Sequence, residues 1–339
     1  MILIAAVTLL ASTLLTLAVR KAALSRGLLD VPNSRSSHSI PTARGGGLAM
    51  VLAANAGFVT LYARAEIPAN LLIALCGGGL AVAIVGFVDD RRSLRARIRI
   101  AVHFVAAIWA VVWLGGLPPL QIGGVVVQPG LAGDVLAVLG IVWTLNLFNF
   151  MDGIDGIAAS EAVFVAASGS GLMLSAGLPA SVPSAALVFA AACAGFLPWN
   201  WPRARIFMGD VGSGYLGYVI AALACAAGRH SPVAVWVWLV LGGVFFVDST
   251  TTLVRRALRG ERVHQAHRSH AYQWLARRWG GHLPVTASVL AVNVFWLLPA
   301  ACLAMSYPQS AVWILACAFV PLIILVIAAG GGRQEPAAQ

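Results

Sequence analysis

The chain has 339 residues, 60% of them hydrophobic and 10% charged, with a formal net charge of +10 and a mean hydropathy of +0.88. Apolar content at this level excludes a soluble globular domain and a disordered chain, and indicates a polytopic membrane protein. The positive charge signals membrane orientation and not nucleic-acid binding, because the basic residues segregate to one set of loops.

Apolar runs predict membrane helices at 2–19, 47–63, 71–88, 100–115, 131–148, 157–177, 184–198, 214–228, 232–254, 285–304 and 310–329. The expected fold is all-α, a bundle of about eleven transmembrane helices, or ten if two neighbouring runs merge. Each run is near the length that crosses a hydrocarbon core of roughly 30 Å. Run 2–19 has no basic flank before it and is followed by Arg20 and Lys21, so it reads as a first span with its N-terminus outside, not as a signal peptide. With that orientation, 20 of the 22 Lys and Arg residues fall in inner loops and only Arg64 and Arg229 fall outside. The C-terminus is then cytoplasmic. Residues 1–329 form one transmembrane domain, and 330–339 read as a disordered tail. The five cysteines lie in apolar runs with no ligand spacing and read as packing residues. The uncharged segment 116–130, a Val run flanked by glycines, predicts a small outer hairpin.

The inner loops carry the chemistry. The first, Asp30-Val-Pro-Asn-Ser-Arg35 to Pro41-Thr-Ala-Arg44-Gly-Gly-Gly47, has two prolines that forbid a continuous helix and three glycines that permit close backbone approach. The second carries Asp89-Asp90 at the C-terminal end of an apolar run, where a helix dipole disfavours acids, so a bound cation gives them a reason to be there. The third is Asn146-Leu-Phe-Asn149-Phe-Met-Asp152-Gly-Ile-Asp155-Gly156. Asp and Gly are ordinary turn residues, yet these are two of only twelve acids in the chain. The fourth, Trp199-Asn200 to Phe207-Met-Gly-Asp210-Val-Gly-Ser-Gly214, combines aromatics, two arginines, one acid and a glycine cluster. The fifth, 255–284, holds four of the seven histidines. No cysteine accompanies them and their spacing matches no zinc pattern, so a surface for phosphate oxygens is the better reading. Residues 271–279 predict an interfacial helix. Asp248, inside the ninth run, is expected to be functional or to pair with a loop arginine.

Together the five loops offer carboxylates for a divalent cation, arginines and histidines for phosphates, and aromatics for a base. Magnesium usually binds through one or two carboxylates plus substrate phosphates, so a diphosphate substrate fits.

Taken in order, these motifs resemble the polyprenyl-phosphate N-acetylhexosamine-1-phosphate transferases, glycosyltransferase family 4. The matching stretches are Asp30-Val-Pro-Asn-Ser-Arg with Pro-Thr-Ala-Arg-Gly-Gly-Gly47, Asp89-Asp90, Asn146 to Gly156, Phe207-Met-Gly-Asp210-Val-Gly-Ser, and His267 to His270. The resemblance implies an enzyme in which undecaprenyl phosphate attacks the sugar-linked phosphorus of a UDP-N-acetylhexosamine, releasing UMP. It further implies Mg2+ as cofactor, with Mn2+ as an alternative, and a bacterial inner membrane location with the active site on the cytoplasmic face. A homodimer is among the assemblies it allows. Carried over position by position, Asp210 and Asn149 are the expected metal ligands. Asp89 positions or deprotonates the lipid phosphate, and Asp90 supports the metal shell. Asp152, Asp155, Asn200 and Phe207 contact the nucleotide, with Phe207 stacked on uracil. His267, Arg268 and His270 bind the diphosphate. The segment His267-Arg-Ser-His270 departs from the richer histidine runs of the muramoyl-pentapeptide branch. It points to enzymes that start O-antigen or capsule chains, including those using 6-deoxy sugars such as N-acetylfucosamine or N-acetylquinovosamine. Transfer of plain N-acetylglucosamine 1-phosphate is the alternative within the class. A secondary transporter is the rival outside it, one that would place charges near the midplane on repeat-related helices.

Overall fold

The computed structural model describes residues 1–32, 40–261 and 267–334. The apolar runs all become helices: α1 (Ile2–Ser25), α2 (Gly47–Ala63), α3 (Ala69–Asp89), α4 (Ala96–Leu114), α5 (Gly130–Met151), α6 (Ile157–Ser175), α7 (Ser181–Asn200), α8 (Asp210–Gly228), the pair α9 (Ala234–Leu241) and α10 (Gly243–Leu258), then α11 (Ala271–Arg278), α12 (His282–Ser306) and α13 (Pro308–Ala329). Among the described residues nine of these are long and apolar enough to cross a membrane alone, ten if the bent pair α9 and α10 counts as one span. Helix α2, with 17 residues, is about 25 Å long and sits at the lower limit for a span. The chain is a polytopic helical membrane protein.

The ninth run is not the single straight helix its composition predicts. It bends by 73° between α9 and α10, at Gly242-Gly243, where no side chain stiffens the backbone. Helix α8 is the hub, with 89% of its apolar stretch buried against 22% for α13. Small residues make that burial feasible, because membrane helices pack by close backbone approach. A Cβ on Gly86 of α3 would run into the Asp210 carbonyl, and one on Gly47 of α2 would lie 2.5 Å from the Gly212 Cα.

The loops sort to the two ends of the bundle. At one end lies the expected hairpin, β3 (Leu120–Ile122) paired antiparallel with β4 (Val125–Val127), fastened by Trp236 Nε1 donating to the Gln121 carbonyl at 2.7 Å. The two basic residues that break the charge rule have local reasons to be there. Arg64 pairs with Glu66 at 3.2 Å, and Arg229 donates to the carbonyls of Leu114 and Gly116.

At the other end the first inner loop forms a two-residue ladder, β1 (Leu29–Asp30) against β2 (Thr42–Ala43). Residues 33–39 of its motif, and His264 of the fifth loop, lie outside the described residues. The glycines of this loop approach protein backbone: Gly46 N–H donates to the Phe207 carbonyl and Gly47 N–H to that of Met208, both at 2.9 Å. The expected tail also differs at its start. Gly332 N–H donates to the Ser269 carbonyl at 2.7 Å, and the Gly331 and Gly332 carbonyls accept from Arg255 and Arg259.

Candidate active site

Helix ends deliver the acids to one place. Asp89 closes α3 and Asp90 follows it. Asp210 opens α8, where a carboxylate complements the helix dipole. Asn149 stands two residues before the end of α5. Its Nδ2 donates to Asp210 Oδ1 at 3.1 Å and to Ser213 Oγ at 2.9 Å. Two guanidiniums bind the group together. Arg99 Nη1, in the first turn of α4, lies 2.5 Å from Asp89 Oδ2 and 3.3 Å from Asp210 Oδ2. Arg44 Nη2 lies 2.9 Å from Asp90 Oδ1 and 3.9 Å from Asp210 Oδ1. Neither arginine was singled out from sequence. Arg44 closes a quoted motif, but Arg99 is one of five arginines in nine residues and nothing in the spacing selects it.

Asp90 and Asp89 have different surroundings. Asp90 accepts from the backbone N–H groups of Asp210 at 2.9 Å and Val211 at 3.2 Å, so it caps α8 from outside. Its side chain is 7% exposed. Burial pushes its carboxyl above the ordinary value, with the Arg44 charge opposing. Gly209 makes this cap accessible: its φ is +76°, and a Cβ there would lie 2.5 Å from Asp90 Oδ2. Asp89 accepts from Leu94 N–H at 2.6 Å as well as from Arg99.

Asp152 caps α5 and keeps partial contact with solvent. Its surroundings raise its carboxyl well above the usual range, through burial first and then the charges of Asp210 and Asp90. A crowd of carboxylates repelling one another is what a divalent cation relieves. The donors on hand are all oxygen, which suits Mg2+ or Mn2+ and not a thiol-seeking ion. Among the described residues, no three His, Cys, Asp or Glu side chains are grouped as a complete cage. The residues therefore fit an ion that takes part of its shell from substrate phosphates.

The nucleotide candidates divide. Phe207 is half-buried, its backbone clasped between Ala43 and Gly46. Asp155 and Asn200 each join loops. Asp155 Oδ2 accepts from Ala204 N–H at 3.0 Å, and its Oδ1 lies 3.2 Å from His282 Nδ1. Asn200 is 3% exposed, accepts from Gly156 N–H and donates to the Ile206 carbonyl.

The fifth loop reaches the same end through α11. Tyr272 Oη donates to the Phe150 carbonyl at 2.9 Å. The His270 ring lies 4.9 Å from that of His267 and 6.3 Å from that of Phe150, stacked on both. His270 is 2% exposed, while His267 and Arg268 are half-buried. Among the described residues Asp248 pairs with no arginine in the way the sequence suggested. It is 3% exposed and accepts from the N–H groups of Ala271 and Tyr272 at 3.0 and 3.1 Å and from Thr252 Oγ1 at 3.0 Å. A carboxylate inside α10 thus caps α11.

The profile of glycosyl transferase family 4 matches residues 72–228. A decaprenyl-phosphate N-acetylglucosaminephosphotransferase of Mycobacterium tuberculosis is 31% identical over 306 residues, covering 78% of this chain and 72% of the relative. The chain belongs to glycosyl transferase family 4. A probable undecaprenyl-phosphate N-acetylglucosaminyl 1-phosphate transferase of Bacillus subtilis is 29% identical over 274 residues, covering 79% of this chain and 75% of that family member. A phospho-N-acetylmuramoyl-pentapeptide-transferase of Synechococcus elongatus is 33% identical over 229 residues, covering 59% and 60%.

Proposed function

We propose that this family 4 protein transfers an N-acetylhexosamine 1-phosphate from a UDP-sugar to a polyprenyl phosphate, leaving UMP. The carrying observation is the convergence of Asp89, Asp90, Asn149 and Asp210 with Arg44 and Arg99 at one end of a membrane bundle. Such a cluster serves a polar donor and a lipid acceptor at once. In the reaction an oxygen of the lipid phosphate forms a bond to the sugar-linked phosphorus, and the bond from that phosphorus to the bridging oxygen breaks. The departing oxygen leaves on UMP. A phosphate monoester with a second pKa of ~6 needs no strong base at neutral pH, so Asp89 acts by orientation, through Arg99.

Bound magnesium, held by Asp210 and Asn149, would supply charge neutralisation at the diphosphate. Arg44 and Arg99 now balance carboxylates; arriving phosphates offer them new partners in bidentate geometry. Phe207 takes the uracil face and Asp152 a polar edge of the nucleotide. His267 and Arg268 hold the diphosphate. Asp155, Asn200 and buried His270 keep the walls of this site in place.

The names of the Mycobacterium and Bacillus relatives support N-acetylglucosamine as the sugar. The His267-Arg-Ser-His270 pattern supports a 6-deoxy sugar of an O-antigen or capsule pathway, and N-acetylglucosamine has the stronger support. The charge rule supports a site on the cytoplasmic face of a bacterial membrane.

Purified protein given undecaprenyl phosphate, Mg2+ and a panel of UDP-sugars is expected to release UMP from at least one of them, and only when the lipid is present. UMP release independent of lipid, or none from any sugar, overturns the reading. The Phe207→Ala protein is expected to raise the KM for the UDP-sugar about tenfold, the scale of one lost base–aromatic stack. Its KM for the lipid should stay within about twofold. Equal rises in both constants would remove Phe207 from the base site.

A further inference from the structure

Glu161 is a buried acid that the transfer reaction leaves without a task. It stands in the second turn of α6, and both it and Asn293 of α12 are fully buried. Asn293 opens a π-helical turn within α12, Asn293–Leu297, a departure from α-helix found mostly where a residue has a special part to play. Asn293 Nδ2 donates to Glu161 Oε2 at 2.5 Å. Glu161 Oε1 and Asn293 Oδ1 remain, each buried and each without a hydrogen-bond partner. In a carboxylate facing an amide both of these oxygens are acceptors, and neither satisfies the other. A proton on Oε1 makes that atom a donor. The two planar groups then match, with Nδ2–H given to Oε2 and Oε1–H given to Oδ1 in a closed ring. Among the described residues no cationic side chain forms an ion pair with Glu161, so an ionised carboxylate would be a buried charge without a counter-charge, far costlier than a satisfied neutral acid.

The contact belongs to a polar stripe. His282, Thr286 and Asn293 recur along α12 at i, i+4 and i+11, which is one helix face. His282 Nδ1 lies 3.2 Å from Asp155 Oδ1, and buried Thr286 Oγ1 donates to the Asp155 carbonyl at 2.9 Å. Helix α12 therefore holds the loop that leads into α6 by both the backbone and the side chain of Asp155. Apolar side chains at the 161–293 contact would allow α12 to settle at several heights along α6. A two-bond ring fits one height, as a buried polar residue fixes register elsewhere. We propose that Glu161 is a neutral carboxylic acid closed in a ring with Asn293, and that this ring is a positioning element for the loop Asp152–Gly156. The positioning half rests on the transferase reading, in which Asp152 meets the nucleotide. The protonation half does not.

The infrared difference spectrum between wild-type and Glu161→Gln protein in nanodiscs at pH 7 is expected to show the loss of one carbonyl band of a protonated carboxyl. Glutamine offers one donor and one acceptor, so the ring survives as an amide pair, and the apparent Tm should stay within about 2 °C of wild type. Glu161→Leu leaves Asn293 unpaired and is expected to lower the apparent Tm by about 4 °C or more. It should also raise the KM for the UDP-sugar about fivefold through a displaced loop. The KM for undecaprenyl phosphate should stay within about twofold, and the glutamine variant should keep both constants at wild-type values. If the infrared band is absent, Glu161 is ionised and the ring is overturned. A donor KM unchanged in Glu161→Leu, or raised equally in Glu161→Gln, would overturn the positioning role. Wild-type protein that releases no UMP fails the transferase reading and the positioning role with it, whereas the infrared band still decides the ring.

Discussion

An Asp210→Asn protein is expected to fold normally and to lose transfer by a factor of about 100 or more, the scale of removing one electrostatic stabiliser from a reacting centre. Asparagine keeps the shape and one acceptor oxygen, so the hydrogen bond from Asn149 has a partner. The charge is gone, and with it the main ligand that the proposed magnesium would use and the pairing with Arg99. The melting temperature should stay within about 3 °C of wild type. Asp90→Asn makes the informative contrast. Both oxygens of Asp90 accept backbone N–H groups, and an amide can accept at only one of them. That variant should lose about 1–3 kcal/mol of stability as well as activity. UMP release and thermal unfolding of the two proteins side by side check the pair. Asp210→Asn activity within tenfold of wild type would remove Asp210 from the reaction.

The membrane architecture was legible because lipid imposes a crude rule. Every spanning segment must be a helix of about 20 apolar residues, and each apolar run became helical, the ninth as the bent pair α9 and α10. The bend at Gly242-Gly243 was not legible, since paired glycines permit a straight helix as readily as a break. The acids of the site stood out because so few acids occur. Their partners did not, because Arg99 reaches Asp89 only after α4 turns back, which is a tertiary fact. Glu161 and Asn293 show the same limit from the other side. Each is an isolated polar residue within an apolar run, so each carried a visible signal. Only the fold reveals that they meet, with Asn293 Nδ2 donating to Glu161 Oε2 at 2.5 Å.

Asp248 tests whether a buried acid outside the cluster governs the site through α11. Its carboxylate is the acceptor for Ala271 N–H, Tyr272 N–H and Thr252 Oγ1. Asp248→Ala leaves these donors without that partner in a buried place, at about 1–3 kcal/mol each before water or backbone shifts relieve it. The cheapest relief is for the first turn of α11 to lift away. That would break the bond from Tyr272 to the Phe150 carbonyl, one residue beyond Asn149. It would also free His267 and Arg268, which lead into the helix. Amide exchange across 267–279 is therefore expected to accelerate more than about tenfold, with the KM for the UDP-sugar rising alongside. Asp248→Asn, which keeps one acceptor, should fall between the two. A variant that speeds exchange but leaves the KM unchanged would show that α11 docks without serving the donor. Unchanged exchange would mean that Asp248 does not hold the helix. Either result separates a structural cap from a positioning one, and the sequence, which shows only an acid inside an apolar run, cannot make that separation.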